Sequence, residues 1–259
     1  MKVLAVGDVC APDGSNYALQ MIPRIKREEN IDFTIVNGEN SAAGNGITPD
    51  SANMLFAAGA DVITGGNHTL RRSEFFDVLD TNPFVLRPHN LKEAEVGSGY
   101  CLFDMGKYLS AVINLSGQIY LERVNADNPF KCVDELLEKA KNDGAKFIFV
   151  DFHAEATSEK RAMGFYLDGK VSAVFGTHTH VQTADAQVLP QGTGYITDLG
   201  MTGVINSTLG VKNEIIINRL KDNDMSRFEQ ASGDCMLNGC IFDIDDATGL
   251  TKSVKLIQK

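Results

Sequence analysis

The sequence predicts an α/β fold in which two facing β-sheets are flanked by helices, with a site at the carboxyl ends of the strands. Three observations predict it. Short apolar runs of strand length alternate with segments of helical period. Five of those runs end in a polar cluster: Asp8, Asn37 to Asn40, Asn67-His68, His153 and His178/His180. The stretch Val174 to Val181 (Val-Phe-Gly-Thr-His-Thr-His-Val) delivers two histidines separated by one residue, and in an extended segment such residues point to one side.

Lys2 to Val6 is an apolar strand stopped by Gly7-Asp8. After a loop with Pro12 and Gly14, Leu19, Ile22 and Ile25 recur at helical spacing and predict a helix from about Tyr17 to Glu29. Phe33 to Val36 is a second strand. Thr48-Pro49-Asp50 opens a helix, with proline in its first turn, that runs to about Ala58 and is closed by Gly59. Asp61 to Thr64 is the third strand, followed by a short helix from Ser73 to Leu79 and a short strand, Phe84 to Leu86, before Pro88.

Tyr100 to Leu121 reads as meandering strands, Pro129 to Asn142 as an amphipathic helix, and Lys146 to Phe152 as a strand delivering His153. A helix at Glu159 to Leu167, strands at Val171 to Phe175 and Gly194 to Thr197, and two closing strands at Gly239 to Ile244 and Ser253 to Ile257 complete the pattern. No repeat or linker interrupts residues 1–259, so the expectation is a single domain, with 206–237 as a lid over the site.

A net charge of -10 disfavours a broad nucleic-acid-binding face, which needs clustered Lys and Arg, and leaves a small phosphate substrate open. Five cysteines without CxxC spacing, no signal-like start and no apolar run near the ~20 residues of a membrane span point to the cytoplasm. Cys235 and Cys240 read as two small packed residues.

One Asp, one Glu, several Asn and up to four His delivered to one sheet edge are more donors than a single ion uses. A two-metal centre, with ions ~3.5–4 Å apart and a shared carboxylate, employs them all, activates a bridging water and clamps an in-line displacement at phosphorus. Each residue alone has a plain structural role: Asp8 as a cap, Glu39 and Asn40 in a turn, His153 as a core histidine. Taken together at five strand ends, that account needs several independent coincidences.

Gly7-Asp8-Val9, Asn37-Gly38-Glu39-Asn40, Gly66-Asn67-His68, His153 and Gly176-Thr-His-Thr-His180 stand in the order and spacing of the calcineurin-like metallophosphoesterases. With Asp151 to Lys160, Gly176 to Asp185 and Tyr195 to Gly203, nearly the whole chain resembles the bacterial YmdB family. The resemblance implies a four-layer sandwich and a dinuclear phosphodiesterase of small substrates such as 2′,3′-cyclic nucleotides. It implies Glu39 as the bridging carboxylate, with Asp8, Asn40 and His180 completing one metal and Asn67, His153 and His178 the other. His68 would be catalytic, protonating the leaving alkoxide or stabilising its charge. Iron is the implied metal, with manganese or zinc as alternatives. The sequence departs from the pattern at Cys10, where the superfamily usually has His, and at Leu70-Arg71-Arg72 after the GNH motif.

Two other functions fit the same ligands: a phosphomonoesterase of the nucleotidase kind, and a low-turnover regulatory protein that senses a nucleotide. The partners expected are a small phosphodiester or nucleotide, with no nucleic-acid duplex and no membrane, and with a homo-oligomer allowed.

Overall fold

The computed structural model describes residues 1–92, 94–121 and 124–259. In chain order its strands and helices are β1 (Lys2–Val6), β2 (Asp8–Val9), α1 (Ala11–Glu29), β3 (Phe33–Asn37), α2 (Pro49–Ala57), β4 (Val62–Thr64) and α3 (Phe76–Thr81). There follow β5 (Tyr100–Asp104), β6 (Leu109–Ser116), α4 (Pro129–Asn142), β7 (Phe147–His153), α5 (Thr157–Tyr166), β8 (Ala173–Thr177), β9 (Gln187–Val188) and β10 (Gly194–Ile196). The chain closes with β11 (Met201–Val204), α6 (Asn213–Asp222), β12 (Cys235–Met236), β13 (Asn238–Ile244) and β14 (Thr251–Gln258).

The strands form a five-stranded sheet, β14-β13-β1-β3-β4, a six-stranded sheet, β5-β6-β7-β8-β10-β9, and a small sheet, β12-β11-β2. The parallel strands β1, β3 and β4 occupy one side of the first sheet, and β6, β7, β8 and β10 the centre of the second. Alternation along each strand assigns the faces. Val3, Ala5, Phe33, Ile35 and Val62 pack with Phe147, Phe149, Ala173 and Phe175 in the layer between the large sheets. The opposite faces are covered by helices: Leu4, Val36 and Ile63 meet Ile22 of α1 and Leu55 of α2. Ile113, Val150 and Val174 meet Leu136 of α4 and Met163 of α5. Helix, sheet, sheet and helix make the four layers.

The same alternation places the site. Continuing Phe33-Ile35 by two residues reaches Asn37; continuing Phe147-Phe149 reaches Asp151 and His153; continuing Ala173-Phe175 reaches Thr177. The apolar layer between the sheets therefore ends, at the carboxyl edge, in a polar one.

Several boundaries differ from expectation. α1 begins at Ala11 because Pro12 occupies its first turn, where a missing N–H costs nothing. Its Gly14 lies so close to the Thr202 carbonyl that any Cβ would collide. Residues 84–86 make only isolated bridges, Ile63 to Val85 and Leu86 to Ser98, instead of a strand. β8 runs from Ala173 to Thr177, two residues later than its apolar run suggests. β11, β12 and α6 are additional; α6 has no buried residue, its Ile217 and Leu220 being exposed, so its apolar residues do not mark a core-facing side. No helix among the described residues is long and apolar enough to cross a membrane.

Phe149 is fully buried, its ring centroid 5.8 Å from that of Phe33 across the sheet interface. Phe149→Ala is expected to cost about 3–5 kcal/mol, read as a lower midpoint in chemical denaturation; a loss below about 1 kcal/mol would contradict this packing.

Candidate metal centre

All seven expected ligands and His68 gather at the carboxyl edge of the two sheets, in two halves that meet on Glu39. On one side, His153 Nε2 lies 3.3 Å from Glu39 Oε1, 2.9 Å from Asn67 Oδ1 and 3.1 Å from His178 Nδ1. One ligand atom from each of Glu39, His153 and His178 falls within 4.8 Å of the others. On the other side, the Asn40 amide nitrogen is 2.9 Å from Glu39 Oε1 and 3.4 Å from His180 Nε2, which is 3.8 Å from Asp8 Oδ1. Glu39 Oε2 accepts the backbone N–H of His68 at 2.9 Å. Gly66 has to be glycine, since a Cβ there would stand on both the Glu39 carboxylate and the His153 ring.

The floor of the site is a network between the sheets. Asp151 accepts from Asn37 Nδ2 at 3.0 Å, Thr64 Oγ1 at 2.5 Å and Thr177 Oγ1 at 2.7 Å. Burial pushes this carboxyl up to about 6, against the pull of those donors and of His153. Because Thr177 spends its proton on Asp151, it accepts from His153 Nδ1 at 2.9 Å. That contact leaves the Nε2 lone pair of His153 facing the site. His178 is treated likewise: Glu155 Oε2, 3.1 Å from Nε2, accepts its proton and leaves Nδ1 bare.

Extended alternation is not what brings His178 and His180 together. β8 stops at Thr177, and the two histidines have φ of 104° and 64°, in a region that side chains other than glycine seldom adopt. Such strain persists only where its surroundings impose it. Here the His178 N–H is held by Asp8 Oδ2 at 3.1 Å and the Thr179 N–H by Asp198 Oδ2 at 3.1 Å. Lys160 of α5, itself fully buried, donates to Asp198 Oδ2 at 2.6 Å and to the Thr177 carbonyl at 2.8 Å. Asp198 thus braces the turn. The turn sends its two imidazoles to different halves of the site.

The electrostatics call for a cation. His153 Nε2, His178 Nδ1, Glu39 Oε1 and Asn67 Oδ1 are four acceptors turned on one another. Burial would lower His153, yet the carboxylates of Glu39, Asp8 and Asp151 lift it to about 9; a proton there is the smallest positive charge that relieves the clash. Burial would raise Glu39, but the surrounding histidines and the His68 N–H bring it down to about 2. Burial and the neighbouring His153 pull His178 down to about 3, so its ring is neutral. Among the described residues neither Asp8 nor Glu39 has a lysine or arginine partner. Two further buried acceptors, Asp8 Oδ1 and Asn40 Oδ1, have no hydrogen-bond donor among the described residues. This donor set of carboxylate, imidazole and amide oxygen fits hard or borderline cations.

Cys10 Sγ lies 3.6 and 3.8 Å from the two ring nitrogens of His180. Burial keeps its thiol above the ordinary range, as expected of a small packed residue. His68 lines the adjoining cavity of about 650 Å³ with Arg71, Glu155 and, from 208–230, Leu209, Arg227 and Phe228. Arg72, by contrast, is spent on the carbonyls of Ala43 and Asn45. Asp151, Glu155 and Lys160 lie in one of the stretches that carry the resemblance and Thr177 in another, but the motifs assign none of them a role. Asp151 alone leaves a signal, a charge two residues before His153 in an apolar strand.

A family model described as YmdB-like protein matches residues 4–257. A Bacillus subtilis protein named 2′,3′-cyclic-nucleotide 2′-phosphodiesterase is 46% identical over 256 residues, covering 99% of this chain and 95% of that protein. The crystal structure of a novel phosphatase from Mycoplasma pneumoniae superposes with a TM-score of 0.94 at 34% identity, covering 100% of this chain and 93% of the other. A 5′-nucleotidase precursor from Thermus thermophilus shares the fold, with a TM-score of 0.63 at 10% identity over 100% of this chain and 54% of its own.

Lys160→Met is expected to cost about 3–5 kcal/mol, because it strands the Asp198 carboxylate without its buried partner. Adding Asp198→Asn should recover part of that loss in the same urea titration. A Lys160→Met protein as stable as the parent would show that the pair does not brace the turn.

Proposed function

Because the chain belongs to the YmdB-like family, we propose that this metallophosphoesterase opens 2′,3′-cyclic nucleotides to nucleoside monophosphates at a dinuclear centre. The observation that carries the reading is the set of inward-facing acceptors divided into two halves by one carboxylate. Asp8, Asn40 and His180 would hold one cation and Asn67, His153 and His178 the other, with Glu39 shared between them. Bound there, the cations would polarise the phosphoryl oxygens and lower the pKa of a water nucleophile.

The chain's own residues do the rest. Thr177 and Glu155 fix which nitrogen of His153 and His178 faces inward. His68, held by its N–H on Glu39 and open to the cavity, is positioned to give a proton to the departing ribose oxygen. Burial lowers its pKa, which makes its imidazolium the stronger acid. Segment 206–237 acts as a cover within a single domain, a reading supported by the cavity wall it supplies. The ligand types suit iron, manganese or zinc alike, and the family resemblance points to iron among them. Five free cysteines support a cytoplasmic location, and the exposed Ile217 and Leu220 on α6 support self-association.

The direct test is metal analysis of anaerobically purified protein, paired with turnover of 2′,3′-cyclic AMP. Two equivalents of metal with product are expected, and bis-p-nitrophenyl phosphate should be hydrolysed faster than p-nitrophenyl phosphate. Preference for the monoester would move the protein to the nucleotidase class, and metal without turnover would favour a sensor. Glu39→Gln should lose both metal and activity; a fully active, metal-loaded variant would sink the assignment. His68→Ala should keep its metal while kcat falls by about 10²–10⁴.

A further inference from the structure

Above the acceptor cluster, the cavity has a second character. Its far wall comes from the segment around α6, which reaches back over the site. Bridges from Val211 to Thr208 and Gln230, with the Lys212–Glu229 ion pair at 2.6 Å, close that segment on itself and set Phe228 on the cavity wall. Phe228 is half exposed. The Arg219 guanidinium lies over its ring, 4.0 Å from the centroid, and is tied to the Ser226 carbonyl at 2.7 Å. Arg219 does not line the cavity and Phe228 does, so one side of the ring is backed and another is offered. A cation behind an aromatic face holds the ring in place and suits it to stacking. At the same mouth, Arg71 and Arg227 line the cavity with no ion-pair partner among the described residues, in a chain of net charge -10.

A flat apolar face, two free guanidiniums and an acceptor cluster within one cavity match the parts of a nucleotide: base, phosphate charge and reacting phosphorus. We propose that Phe228, backed by Arg219, is the stacking platform for the nucleobase, with Arg71 and Arg227 drawing in the anion. The proposal rests on the phosphodiesterase reading and identifies what holds the non-reacting end of its substrate. Stacking tolerates any base with a π-face, so the site selects nucleotides over plain phosphodiesters and discriminates little among bases.

The test combines binding and turnover on the full-length, metal-loaded protein. Calorimetric titration with adenosine 3′-monophosphate should weaken about 10-fold in Phe228→Ala and recover in Phe228→Trp, while inorganic phosphate binding stays within about 2-fold. For 2′,3′-cyclic AMP the KM should rise and kcat hold. Equal weakening of nucleotide and inorganic phosphate, or no weakening of either, overturns the platform even if the protein hydrolyses cyclic nucleotides well. A Phe228-dependent gain for the nucleotide in a protein that never turns over a diester supports the platform and removes the hydrolytic reading instead.

Discussion

A carboxylate sealed between two sheets is the constraint on which the site depends. Asp151 is fully buried and, among the described residues, faces no arginine or lysine; beside the nearby His153, its charge is met by hydroxyl and amide donors from β3, β4 and β8. These strands come from both large sheets, so one side chain spans the sandwich at the edge where chemistry is needed. A buried polar group left half satisfied is costly, which ties the relative position of the sheets to completion of this network. The network also fixes a proton: through Thr177 it decides which nitrogen of His153 looks into the site. Packing of the layer between the sheets and the tautomer of a histidine are thereby one problem with one solution.

Much of this was legible in the sequence, and the reason is periodicity. Strands with alternating faces and carboxyl-end polar clusters announce themselves over four or five residues, as at Lys2 to Val6 and Lys146 to His153. The matching residues Asp8, Glu39, Asn40, Asn67, His153, His178 and His180 do converge. What stayed hidden was non-local or irregular. That Lys160 is sealed against Asp198 depends on how α5 packs on β8, which no local window contains. The geometry of His178 and His180 is a strained turn imposed from outside, which the alternation of an extended strand does not foresee. α6 has no fully buried residue, and its apolar residues are too short a run, followed by a polar stretch, to announce a helix.

The division of labour within the site follows from these origins. Residues that face the acceptor cluster sit on or just beyond strands whose other ends are locked in the core, and their orientations are set by buried donors. The residues opposite them, around Phe228, belong to a segment held mainly by its own bridges and one surface ion pair. One wall is rigid for energetic reasons, and the other carries little of the fold.

The absence of buried residues in α6 therefore bears on how such a protein can change over generations. At Gly66 the backbone lies against Glu39 and His153, and no other residue fits, so that position is closed to variation. In the helix across the cavity, apart from Arg219 against Phe228, no residue is buried, so a substitution leaves little void and most sequences there are compatible with a folded chain. Innovation is cheap on that wall alone. A lineage descending from this architecture can acquire a different appetite by rewriting one short surface stretch, while inheriting its chemistry unaltered.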